Sequence, residues 1–353
     1  MESLTPHRLE LLLSHFTGAA EVWRAPTGLL KKIPGIPAEV ISEIVARRNM
    51  SDPVKDLDGL LKRGIRVIFK GDAEYPVLLN YIFDPPAVLY VRGEMDPAEV
   101  RTVAVVGARK ATAYGLSVAE KLGNQLAEEG FWVISGMARG IDSAAHRGAL
   151  AGSGKTVAVL GCGLDVVYPR ENRQLMEEIA GSGAVISEFA PNSPPEGWHF
   201  PRRNRVISGL ARGVVVVEAE ERSGSLITVD FALEQGREVF AVPGPVTGKL
   251  SRGPHKLIKM GAKLVENAGD ILEELGAAPV TPQKDDKLAH SLKELDNVEK
   301  QIYGLLSFEA VQQEELFQKA NLSGNEVITA LLNLEIKGLV RQLPGQRYVL
   351  TGY

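Results

Sequence analysis

The chain has 353 residues, 44% of them hydrophobic and 24% charged, with a formal net charge of −4. That length admits two or three domains with at least one sizeable core, and the balance is that of an ordinary soluble protein rather than a basic nucleic-acid coat. A single cysteine, Cys162, excludes an internal disulfide or a cysteine-built zinc site, and no apolar run approaches the roughly 18 residues of a membrane span.

Residues 1–70 read as short helices with polar connections: "HRLELLLSHF", "GLLKKI", "PAEVISEIVARR" and "KDLDGLLKRG". The N-terminus lacks a signal-peptide pattern, so the expected address is the cytoplasm, without a membrane partner. Within this zone "KKIPGIPAEVISEI" has the form of a helix-hairpin-helix turn of a SAM-like domain. Gly35 turns the chain there, and the next helix start offers backbone N–H groups to a phosphate. A plain helix–helix turn fits the same residues. The partner hairpin would need a turn before "LTPHRLELLL", so the first hairpin reads as clipped.

Residues 71–276 read as one extended Rossmann-like domain. Pro85 and Pro86 force an extended segment, and "AVLYVRG" after them is expected as an edge strand. From about 101 the pattern alternates strand and helix, with strands "TVAVVG", "FWVISG", "TVAVLG", "AVISEF", "GVVVVEA", "EVFAVPG" and "KLVE". Near-continuous apolar strands joined by helices imply a doubly wound, mostly parallel α/β sheet covered on both faces. Four strands run directly into Gly107, Gly136, Gly161 and Gly244, and ligands of such sheets sit outside the carboxyl ends of the strands. A polar, proline-bearing linker is expected over 277–294. Residues 295–353 then follow the winged-helix order of three helices and a hairpin. The third helix offers Glu326, Glu335 and a single Lys337, with thin polar cover from Asn325, Thr329 and Asn333. A protein-contact or stabilising role is therefore expected ahead of base reading.

Several motifs imitate chemistry. "AGSGKT" lies between a helix and the next strand, the reverse of a phosphate loop, and "GCG" at 161–163 lacks the rest of a dinucleotide fingerprint. Asp142 and His146 share one helix face, and a capping carboxylate with a packed, hydrogen-bonded histidine is the favoured reading over acid–base work. Cys162 follows a buried strand and reads as core filler. No nucleophile elbow or metal-ligand spacing occurs, so no catalytic group, cofactor or metal is expected.

What does gather at the mouth of the sheet is cationic. "GARKATAYG" carries Gly107, Arg109 and Lys110; "GMARGID" carries Arg139; "GCGLDVVYPREN" carries Arg170. The loop "APNSPPEGWHFPRRNR" brings Trp198, Phe200, Arg202, Arg203, Asn204 and Arg205. "EAEERSGSLIT" adds Arg222 and a Ser223-Gly224-Ser225 turn opening a helix. A helix start already carries partial positive charge, so arginines at the start of "FPRRNRVISG" call for an anion. Several cationic loops on one rim suit a ligand with successive phosphates, and the aromatics offer stacking worth about 1–3 kcal/mol per unpaired base.

Together "VVGARKATAYG", "SGMARGIDSAAH", "VLGCGLDVVYPREN", "FPRRNRVISGLARGVVVVEA", "SGSLIT" and "GREVFAVPG" closely resemble the DNA-processing protein A family, DprA or Smf. The match spans about 70–276, and the flanking zones fit the family layout. The resemblance implies a cytoplasmic, non-enzymatic protein that binds single-stranded DNA during natural transformation, shields incoming strands and helps load the RecA recombinase. It places the family's strand-binding arginine on Arg109, with Ala108 where the family has serine. It places the basic residue after "Y-P" on Arg170, and the "F-P-x-R-N-R" element on Phe200 to Arg205; Arg109 and Arg205 alike are expected to carry binding. A homodimer is implied through His255, Leu257, Ile258, Met260 and Leu264, although these residues equally suit covering the sheet, and His255 stands where many members have asparagine. The competing reading is a Rossmann-like nucleotide enzyme of the nucleoside-monophosphate phosphoribohydrolase type. Its "P-G-G-x-G-T-x-x-E" loop is answered here by "ERSGSLITVDF", without the glycine run or the glutamate.

Overall fold

The computed structural model describes residues 6–50, 52–96, 98–99, 101–277, 295–307, 310–320 and 322–350. Its centre is a nine-stranded sheet in the order β1-β2-β6-β5-β4-β3-β7-β8-β9. The strands are β1 (Arg66–Phe69), β2 (Val88–Gly93), β3 (Thr102–Val106), β4 (Trp132–Ser135), β5 (Thr156–Val159), β6 (Ala184–Ser187), β7 (Gly213–Val216), β8 (Glu238–Ala241) and β9 (Lys263–Leu264). β6 through β9 in this order are parallel, while β2 runs antiparallel to both β6 and β1. All seven strands read from the alternating pattern are present. "AVLYVRG" differs from expectation: it lies inside the sheet, because β1, within the zone read as helical, pairs along its outer side from Arg66↔Val91 to Phe69↔Val88.

The sheet is apolar on both faces, as crossover helices require. In β3 the period of two sends Val103 and Val105 to one layer, with Leu122 and Leu126 of α6 (Ala113–Glu128) and Ile141 of α7 (Ile141–Ala151). Ala104 and Val106 face the other layer, with Val206, Ile207 and Leu210 around α9 (His199–Gly209), Val229 of α10 (Gly224–Glu234) and Leu257 of α11 (Arg252–Lys259). α8 (Arg173–Ser182) packs Leu175, Met176 and Ile179 against Ala158, Val185 and Cys162 in a third cluster. α12 (Ala268–Glu274) follows β9 and adds Ile271 and Leu272 to the α6 side.

Ahead of the sheet, α1 (Pro6–Ser14), α2 (Ala19–Arg24), α3 (Thr27–Leu30) and α4 (Ala38–Met50) enclose their own core of Leu12, Leu30, Ile33, Val40, Ile41 and Ile44. Gly35 joins α3 to α4 at φ +82°, a backbone conformation that favours glycine. α5 (Pro53–Leu61) is capped by Asp52 and leads into β1.

Past residue 277 the expected linker lies outside the described residues. Beyond it, α13 (Asn297–Leu305), β10 (Val311–Gln312), α14 (Gln313–Lys319), α15 (Gly324–Ile336), β11 (Val340–Leu343) and β12 (Arg347–Leu350) make the winged-helix arrangement, with a sheet in the order β10-β12-β11. Ile302, Leu316, Val327, Leu331, Leu334 and Tyr348 fill its core. On α15, Glu326 is spent on a capping box with Ser323, and apolar Ile328, Leu332 and Ile336 stand exposed beside polar Asn325 and Thr329. Lys337 just past its end pairs with Glu299 at 2.6 Å.

Among the described residues, no helix is long and apolar enough to cross a membrane.

Candidate nucleic-acid interface

From β3 the chain winds one way through β4, β5 and β6, then returns beside β3 as β7 and winds the other way through β8 and β9. The crevice outside the carboxyl ends of β3 and β7 is therefore the topological switch point, where doubly wound sheets hold ligands. A cavity of about 780 Å³ opens there. Its walls are the loop after β3 (Gly107–Lys110), the loop after β7 (Glu220 and Arg222–Ser225) and one side of α9 (Phe200, Pro201, Arg203, Asn204).

The β3 loop is drawn tightly against the end of β7. The Ala108 N–H donates to the Glu218 carbonyl at 2.7 Å, and a Cβ on Gly107 would lie 2.6 Å from Ile141 Cγ1 and 2.8 Å from that carbonyl. This pinch leaves Arg109 and Lys110 exposed at the rim. The Arg109 guanidinium stands 5.2 Å from the centroid of the Phe200 ring, which in turn lies 5.5 Å from Tyr168. Tyr168 is a wall residue that the sequence reading did not single out; its only signal was its place ahead of Pro169 and Arg170.

The three arginines of α9 part company. Arg203 is buried, and its Nη1 donates to the Gly136 carbonyl at 2.9 Å and to the Val159 carbonyl, at the ends of β4 and β5. Desolvation brings its pKa down to about 10, so it stays charged at neutral pH as a cationic floor of the cavity. Arg202 and Arg205 point elsewhere. Both reach one oxygen of Glu188, at 3.1 and 2.7 Å, and Arg205 also pairs with Asp84 at 3.1 Å. Burial pushes the Glu188 carboxyl up, and the two guanidiniums oppose that shift. Neither Arg202 nor Arg205 lines the cavity.

Asn204 ties α9 to the opposite wall, its Nδ2 donating to the Gly224 carbonyl at 3.2 Å. α10 starts at that wall. The Ser223 hydroxyl accepts the Ser225 N–H at 3.4 Å and lies 2.8 Å from the Ser225 hydroxyl, while Arg222 beside it is exposed. Arg139 is exposed but pairs with Glu171, beside a minor cavity of about 30 Å³. Arg170 opens a 3-10 turn, Arg170–Asn172, exposed and outside the main cavity. Trp198 is half-exposed and donates its Nε1–H to Glu196 at 2.6 Å.

His146 takes the packed, hydrogen-bonded role expected of it, but Asp142 does not cap α7, whose start at Gly140 has no side-chain cap; its carboxylate turns back to the loop after β4. Asp142 accepts the backbone N–H groups of Gly136 and Ala138, at 3.2 and 3.3 Å, with burial raising its pKa. Thr156 gives its hydroxyl proton to the Val133 carbonyl, so His146 Nδ1 donates to Thr156 at 2.7 Å, and burial lowers the histidine pKa to about 3. Cys162 is buried, its thiol pushed up to about 11 by desolvation. Among the described residues no cluster of His, Cys, Asp or Glu could hold a metal.

Of the residues expected at a subunit contact, Leu257 belongs to the sheet core and Ile258 packs against it. His255 Nε2 sits 3.0 Å from the Gly244 carbonyl. Met260, just ahead of the edge strand β9, and Leu264, within it, are outward.

Residues 66–276 match the family described as DNA recombination-mediator protein A, and residues 286–346 match the DprA winged helix domain. Protein Smf of Synechocystis is 33% identical across 99% of this chain and 96% of its own length. DNA processing protein DprA of Bacillus subtilis is 46% identical across 61% of this chain and 72% of its own. The structure of DprA from Streptococcus pneumoniae superposes with a TM-score of 0.66 at 38% identity, covering 77% of this chain and 94% of the other. That of DNA processing protein A from Helicobacter pylori does so with a TM-score of 0.54 at 28% identity, covering 60% and 95%. A whole-length relative, a domain match over most of the chain and shared folds agree that this chain belongs to the DNA-processing protein A family.

Proposed function

We propose that the cavity at the switch point binds single-stranded DNA without sequence preference, gripping successive phosphates and stacking bases on its aromatic wall. One observation carries the reading. Arg109, Lys110 and Arg222 stand exposed around a single cavity, and no carboxylate among the described residues pairs with any of them. On a chain of net charge −4 that is a local positive field, and its geometry suits a flexible backbone that can bend into the crevice. The α10 start adds partial positive charge and backbone donors to the same wall. Phe200 and Tyr168 supply the stacking faces. The H. pylori relative, described for its single-stranded DNA binding mode, supports the ligand class.

The family resemblance extends the proposal to protection of incoming strands in transformation, loading of RecA, a homodimer through the β9 end of the sheet, and work in the cytoplasm without catalysis. The test of the core reading is a salt series with a labelled oligo(dT) and a duplex of equal length. Three phosphate contacts on a single strand predict a log–log slope of about −2, with the single strand bound more tightly than the duplex at every salt concentration. A flat salt response, or equal affinity for the duplex, would refute it.

A further inference from the structure

In doubly wound sheets the helix after the first parallel strand offers its start to a nucleotide phosphate. Here that helix is α6, and its start is filled from within the protein. Glu218, two residues past the end of β7, is 5% exposed. Its Oε2 accepts the Thr112 backbone N–H at 2.8 Å, and its Oε1 accepts the Thr112 hydroxyl at 2.5 Å. The Thr112 oxygen then accepts the Gly115 N–H at 3.1 Å. Gly115 makes room for this arrangement, since a Cβ there would overlap Glu218 Oε2. The cavity wall agrees: Gly107–Lys110 line it, and nothing from 111 to 116 does. A second internal acid, the buried Asp142 carboxylate, accepts the N–H groups of Gly136 and Ala138 in the loop between β4 and α7.

We infer that Glu218 is a specificity-determining residue, an internal anion standing where the phosphate of a free mononucleotide or dinucleotide would anchor. An anion already in place engages the Thr112 donors at the N-cap of α6 and repels a second one. A lone nucleotide thereby loses the contact that would hold it. A polynucleotide keeps its grip, because its successive phosphates meet Arg109, Lys110 and Arg222 instead. This deepens the proposed function and rests on it for the class of ligand preferred. It adds to the loop "ERSGSLITVDF", which lacks the glycine run and glutamate of a nucleotide enzyme, a second physical reason for this crevice to disfavour small nucleotides.

The probes are inorganic phosphate and dAMP, titrated into the isotope-labelled full chain while backbone amide resonances are followed. In the wild-type protein, amides of 107–110 and 223–225 shift with phosphate, while those of 112–115 stay still. Glu218→Ala empties the position: amides 112–115 then respond, and dAMP affinity rises about fivefold or more, the size of a charge interaction at a helix start. Glu218→Gln, which keeps the space filled, leaves 112–115 silent. Phosphate-induced shifts at 112–115 in the wild type, or silence there in a folded Glu218→Ala protein, would overturn the inference. If Glu218→Ala does not fold, the wild-type pattern alone decides. Failure of the wild type to bind oligo(dT) would instead sink the proposed function, leaving the phosphate result at Glu218 to stand by itself.

Discussion

Arg202, Arg203 and Arg205 occupy three electrostatic settings within little more than one helical turn, and Arg109 a fourth. Residues three apart on a helix share a face, which is why Arg202 and Arg205 converge on Glu188 while Arg203 turns to the strand ends. That much of the geometry follows from spacing. Which face is buried does not, because the deciding partners are Glu188 and Asp84, and Asp84 lies far away in the chain. From sequence alone Arg109 and Arg205 are therefore equivalent. The structure separates them. Arg205→Ala would leave the buried Glu188 carboxylate with Arg202 alone, and removing one partner of a buried pair costs about 3–5 kcal/mol. Arg109→Ala removes an exposed side chain without a carboxylate partner, so stability should move by no more than about 0.5 kcal/mol. Its effect should appear in binding, as about a tenfold loss and a salt slope shallower by about 0.7. Thermal unfolding of both variants, alongside oligonucleotide titration, checks the split. A normal melting temperature with lost binding in Arg205→Ala would mean that this arginine reaches the ligand after all.

Among the elements, the parallel strands were legible because a strand covered on both faces must be almost wholly apolar, and each such run ended at a glycine or an acid in the loop that follows. β1 was not legible. "RVIF" begins with a charge, follows a helical zone, and gains its role only by pairing with β2, 19 residues on at Phe69↔Val88 and 25 residues on at Arg66↔Val91. Nor does the sequence alone explain glycines inside helices, where they cost helix propensity. Gly123 and Gly148 lie where α6 and α7 touch backbone to backbone: a Cβ on Gly148 would fall well inside contact with the Glu120 carbonyl oxygen, and one on Gly123 would overlap that of Ala145. Gly148→Ala should therefore destabilise the protein by about 1–3 kcal/mol, overpacking outweighing the propensity gain. Gly181 in α8 has nothing within 4 Å of the added methyl, so Gly181→Ala should stabilise by up to about 1 kcal/mol. Denaturant midpoints of the two variants ought to move in opposite directions, and a shared direction would contradict the packing described between α6 and α7.

The whole molecule carries separate apolar cores: one among α1–α4, the layered clusters on the sheet, and one in the winged helix. Between the winged helix and the sheet, Arg341 of β11 meets Glu120 of α6 at 3.3 Å, with both side chains substantially exposed. An exposed pair of that kind contributes about 0–1 kcal/mol and is screened by salt, too little to bind two cores into one cooperative unit. Calorimetric unfolding should then resolve more than one transition, since cores that are not strongly coupled melt at their own temperatures. The proposed ligand touches only the cavity at the ends of β3 and β7. A ligand that binds a folded unit stabilises that unit by about 2.7 kcal/mol at a hundred times its dissociation constant. Adding oligo(dT) at such an excess should raise the transition of the sheet and leave that of the winged helix where it was. Were the winged-helix transition to climb with it, the strand would have to span both units, and the exposed side of α15 would need a role in holding it.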